Sequence, residues 1–130
     1  MASIDLKNSC VVTNALNIQT ISTNTTTAGS SIDLNGYESA TFNFKLGVRT
    51  DGSYLPVITE SDDGTTFTAV SSDFLIGTPA ALATSHTSQR IGYVGKKRYV
   101  KASITSTSVT TGSLATVDVI LGSPRTAPTA

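Results

Sequence analysis

Residues 40–48 read Ala-Thr-Phe-Asn-Phe-Lys-Leu-Gly-Val. Ala40, Phe42, Phe44, Leu46 and Val48 alternate with Thr41, Asn43, Lys45 and Gly47. A period of two gathers every second side chain on one face of a strand, whereas a helix would scatter the same residues around its axis. The stretch predicts a central β-strand with a phenylalanine-rich buried face.

The same period recurs downstream. Between Arg98 and Thr107, Val100, Ala102 and Ile104 point one way, and Tyr99, Lys101, Ser103 and Thr105 the other. From Leu114 to Leu121, Ala115, Val117, Val119 and Leu121 face inward and Thr116 and Asp118 outward. Ile120 breaks that alternation and suggests a strand covered on both faces near its end. Weaker patterns predict strands over Asn14–Ser22 (through Leu16 and Ile18, with Ile21 out of register), Tyr54–Glu60 and Thr65–Val70. Asn35-Gly36, Asp51-Gly52, Asp63-Gly64, Gly77 with Pro79, and Thr111-Gly112 punctuate these runs. Gly77–Gln89 reads as a long surface loop with room for one helical turn at Ala80–Leu82. Short strands at such spacing predict an antiparallel β-sandwich or a small barrel.

Composition agrees. At 130 residues the chain fits one domain. Charged residues make up only 14%, below the roughly 25% of ordinary globular chains. Serine and threonine fill the gap at about 30%, and β-branched threonine suits a pleated surface. Nine basic residues balance nine acidic ones, so no global field draws the chain to nucleic acid or to an acidic membrane. No apolar run is long enough for a membrane helix, and the first residues lack a signal-peptide pattern. The expected organisation is an N-terminal arm over residues 1–14, a sandwich over 15–121 and an extended tail over 122–130. Extended ends either hang free or dock on a neighbour.

The residues that suggest chemistry are few. Glu60-Ser61-Asp62-Asp63-Gly64-Thr65-Thr66-Phe67 concentrates three carboxylates. A calcium loop of the EF-hand type needs alternating ligands and a distant glutamate, and none follows. A glycosidase pair needs two carboxylates about 5 to 9.5 Å apart in a cleft, whereas adjacent turn residues splay outward. Asp-Gly between β runs is a favoured hairpin turn. The stretch also resembles the Asp-box turn, Asp-x-Gly-x-Thr-aromatic, with Asp62, Gly64, Thr66 and Phe67 in those places and Glu60 where that motif prefers serine. We read Asp62, Asp63, Gly64, Thr66 and Phe67 as a structural turn. Cys10, the single cysteine, reads as a small, partly buried apolar side chain, and His86, the single histidine, as a loop residue. Lys96-Lys97-Arg98 is the one basic cluster; three charges on a neutral chain give only weak, salt-sensitive phosphate contacts, and a subunit contact is the alternative. No nucleotide-binding, hydrolase or metal motif is present, so neither an enzyme nor a cofactor is expected.

Four strings carry a family resemblance: Ile32–Ser39 (IDLNGYES), Thr50–Gly64 (TDGSYLPVITESDDG), Ile91–Val100 (IGYVGKKRYV) and Leu121–Arg125 (LGSPR). Together they resemble a family of small structural proteins of tailed bacteriophages, similar to capsid cement or decoration proteins. The resemblance implies a jelly-roll-like β-sandwich bound to the outside of the head shell. It also implies the major capsid protein as partner and a virion location after synthesis in the bacterial cytoplasm. No catalytic residues carry over. A homo-oligomer, dimer or trimer, is expected, because small β domains commonly build a broad docking face by symmetric association. Two further readings are a head–tail joining or tail protein, and a carbohydrate-binding sandwich. The last requires Tyr37, Tyr54 or Tyr93 side by side on the surface.

Overall fold

A computed structural model of the chain describes residues 7–124. It is all-β, with two antiparallel sheets packed as a β-sandwich. The strands are β1 (Cys10–Ile21), β2 (Thr26–Asp33), β3 (Tyr37–Arg49), β4 (Ser53–Ser61), β5 (Thr68–Ala69), β6 (Leu75–Ile76), β7 (Ser88–Tyr93), β8 (Tyr99–Thr107) and β9 (Ser113–Pro124). One sheet has the order β1-β9-β3-β7-β6 and the other β2-β8-β4-β5. Pairing is nested: β1 lies against β9, β2 against β8, β3 against β7 and β4 against β5. Residues 10–14 and 122–124, assigned by sequence to the arm and the tail, lie in β1 and β9. Residues 1–6 and 125–130 are outside the described residues.

The core is the space between the sheets. Phe42, Phe44 and Leu46 on β3 and Val117 and Val119 on β9 are fully buried, facing Val100, Ala102 and Ile104 on β8 and Tyr54 and Ile58 on β4. Each of the buried Phe, Leu, Ile and Val side chains contributes about 1.5–3 kcal/mol by leaving water. The three strictly alternating stretches therefore form β3, β8 and β9, each paired on both edges.

Bulges correct several sequence expectations. Val48 is exposed rather than buried, because the β3–β9 ladder slips between Leu46 and Arg49. Ile18 is exposed too, since β1 slips between Asn14 and Leu16 and again before Gln19. An extra residue reverses which face a side chain takes. Alternation in β9 is unbroken: Ile120 simply occupies the outer face. The Thr65–Val70 strand shrinks to Thr68–Ala69, because residues 62–66 are used by the turn before it. No helical turn forms at 80–82; Leu82 instead exchanges two backbone hydrogen bonds with Tyr54, and a 3-10 turn occupies Ser72–Phe74. All five glycines flagged as turn signals take positive φ, which L side chains resist.

Strand β2 (TTAGSSID) has no apolar alternation and was not anticipated. Its backbone crosses close to both sheets: a Cβ on Gly29 would collide with the carbonyl oxygen of Ala15 and stand 2.9 Å from that of Ala102. Glycine is what lets β2 close this corner of the sandwich. Gly29→Ala is therefore expected to lower unfolding free energy by about 1–3 kcal/mol in chemical denaturation, the usual cost of overpacking. An unchanged midpoint would mean that β1 and β2 do not approach as described.

Candidate functional site

Parts of the segments carrying the family resemblance, Ile32–Ser39, the end of β4 at Glu60 and Ser61, and Tyr93–Tyr99, come together at one end of the sandwich. There the β2–β3 turn, the start of β3 and the β7–β8 loop surround a half-open cleft of about 450 Å3, lined among others by Tyr37, Glu38, Tyr93, Lys96 and Arg98. Tyr37 pairs with Pro124, so the end of β9 leaves beside it.

Ion pairs and buried hydroxyls tie this end together. Arg98 Nε and Nη2 donate to the two oxygens of Asp33 at 3.0 and 2.9 Å, and the Asp33 carboxyl is held below the usual range chiefly by that bond. Lys97 Nζ lies 2.6 Å from Asp62 Oδ2. The Tyr93 hydroxyl donates to Glu60 Oε1 at 2.7 Å and accepts from the Lys97 amide at 3.2 Å. Burial, reinforced by Glu60, pushes that phenol up to about 12. Lys97 and Arg98 thus bind within the chain, while Lys96 is exposed.

In the acidic turn the hydrogen bonds gather on Asp63 rather than on Asp62. Asp63 Oδ1 accepts from the amides of Thr65 (2.9 Å) and Thr66 (3.0 Å) and from Ser61 Oγ (2.8 Å). Ser61 Oγ in turn accepts from the amides of Asp63 and Gly64. Ser61, not the residue before it, fills the serine role. Asp62 points to Lys97, and Phe67 lies under the Lys101 ammonium, 4.2 Å from the ring centroid.

Sequence reading missed a matching device at the opposite end. Asp51 accepts from the amides of Thr110, Thr111 and Gly112 at 3.0–3.1 Å, and these bonds lower its pKa. Nothing local to Asp51-Gly52 announces partners so far along the chain.

These carboxylates hold loops in place. Among the described residues no three His, Cys, Asp or Glu side chains gather to hold a metal ion. His86 is exposed with φ 58°, and Cys10 is half-buried in β1. Tyr54 and Tyr93 lie inside the sandwich, Tyr54 donating to the Asp51 carbonyl at 2.9 Å. They cannot join Tyr37 in a surface platform for sugars.

No protein-family model matches the chain, and neither the curated proteins nor the solved structures contain a match.

The turn carries a pH signature. The Asp63 carboxyl is held down to about 2, first by the Thr66 amide, then by Thr65 and Ser61. A depressed folded pKa contributes stability that is full above the unfolded value near 3.9 and is lost as pH falls through about 2. Wild type is therefore expected to be more stable than Asp63→Asn at pH 5–7, with the difference vanishing near pH 2, as followed by thermal unfolding. A pH-independent difference would show that the charge does not matter.

Proposed function

We propose that the chain is a non-enzymatic structural protein of a tailed-phage virion, a cement or decoration protein that binds the major capsid protein on the outside of the head and stabilises the shell. The observation that carries this reading is the nested pairing of β1 with β9, β2 with β8, β3 with β7 and β4 with β5. That order supports a jelly-roll assignment, an architecture used by viral capsid domains and also by lectins and cupins. A fold alone does not carry function, so the reading leans equally on the four resembling segments, all of which contribute to the tied end.

The physical properties suit the role. A cement protein adds to a finished shell, so a body with loops already fixed loses little conformational entropy on docking. A shell repeats each contact many times, so modest affinity at one site is amplified by multivalency. Balanced charge limits repulsion between crowded copies.

Co-sedimentation of the purified protein with emptied heads of the phage that encodes it tests the proposal. Saturation at on the order of hundreds of copies per head, with heads then surviving hotter or lower-salt conditions, is the expected result. Saturation at a dozen copies or fewer would move the protein to the head–tail junction. An absence of binding would remove both shell roles.

A further inference from the structure

The outer face of the five-stranded sheet is organised in rows across the strands. Val12 pairs with Ile120, Ile120 with Thr41, Thr41 with Gly92, and Gly92 with Ile76. This uncharged row crosses all five strands, and its ends are open to solvent: Val12 is 63% and Ile76 64% exposed. Sheet surfaces facing water normally carry polar side chains. The adjacent row runs Asn14, Asp118, Asn43, Arg90. Asp118 and Arg90 thus flank Asn43 symmetrically, one strand away on each side. Among the described residues, neither forms an ion pair within the chain.

The geometry points to this face as a dimer interface, on which a second copy of the chain packs across a twofold axis running along β3. Rotation about that axis exchanges the two sides of the sheet. Asp118 of each copy comes to lie over Arg90 of the other, so both charges are satisfied reciprocally. In the uncharged row Ile120 lies over Gly92, which the Ile76 side chain flanks on its outer side, Val12 over Ile76, and Thr41 over its own copy. Ile120 thus meets the Gly92 backbone and the flank of Ile76 on each side, an apolar contact that suits sheets packed face to face at about 10 Å. Lys45, the remaining charge on the face, sits one row further along on β3, so the axis sets it over its own copy, diagonal to Asp118. Its four-carbon stem can carry the ammonium out of the seam.

The size is sufficient. With strands about 4.8 Å apart and about 3.3 Å per residue, the face spans about 500 Å2. Two copies bury about 1,000 Å2, where specific interfaces begin. Any other partner would have to supply both reciprocal charges; a second copy already carries them. This inference stands apart from the shell role, since it concerns the free protein.

Sedimentation equilibrium of the full chain reads the outcome. Wild type is expected at twice the 13.4 kDa chain mass. Arg90→Glu and Asp118→Arg, each of which places like charges face to face, are each expected to weaken the dimer at least about tenfold. The double variant, which restores the pair in reverse, should return to within a few-fold of wild type. Ile120→Lys should give monomers, and Leu55→Lys, on the outer face of the other sheet, should leave the dimer intact. Circular dichroism checks that each variant is folded; should Ile120→Lys unfold, the charge-reversal set decides alone. A monomeric wild type at tens of micromolar, a trimer, or a dimer indifferent to the charge reversals would overturn the proposal.

Discussion

Two sheets can hide their apolar faces from water only against each other, and here that contact is centred on Phe42, Phe44 and Leu46 of β3. Flanked by β9 and β7 in its own sheet, β3 has its backbone hydrogen bonds satisfied on both edges while its buried face meets β8 and β4 across the sandwich. The remaining elements are placed by this contact. β1 extends the sheet beyond β9, and β2 closes the corner where Gly29 lets backbone approach backbone. The loops at both ends then have only to be pinned, and single carboxylates do this by accepting several amides each, Asp63 at one end and Asp51 at the other.

Such pinning explains how a chain with few charges uses them. A carboxylate facing two or three oriented N–H groups is stabilised in its ionised form, and the loop it holds loses conformational freedom. Lys97 and Arg98 extend the same logic across the tied end by joining the β7–β8 loop to Asp62 and Asp33. The outcome is an end tied together from segments distant in the chain, and beside it a sheet face crossed by one uncharged row.

Much of the fold was legible where burial is one-sided. β3, β8 and β9 announce themselves because each keeps strict alternation over most of its length, and both sheets are built around them. β2 was invisible because its packing depends on the lack of a side chain at Gly29, which hydrophobic periodicity cannot register. Ile18 and Val48 were misplaced because a bulge inverts the facing of every residue beyond it, and nothing in CVVTNALNIQTI or ATFNFKLGV marks where the slip occurs. At the acidic turn the reversal between two strands was legible, but the choice between Asp62 and Asp63 was not, since it depends on which carboxylate the backbone turns inward. The partners of Asp33, Asp51 and Arg98 lie far along the chain, beyond the reach of local motif reading.

One β3-centred contact thus sets the fold, and the carboxylate-pinned loops are held with it. Residue-resolved native-state amide hydrogen exchange tests it most directly. The slowest exchange is expected in β3, β8 and β9, with the Thr65 and Thr66 amides protected far above those of an ordinary exposed turn. Exchange at those two amides at free-peptide rates, together with β3 no slower than the edge strand β2, would contradict it.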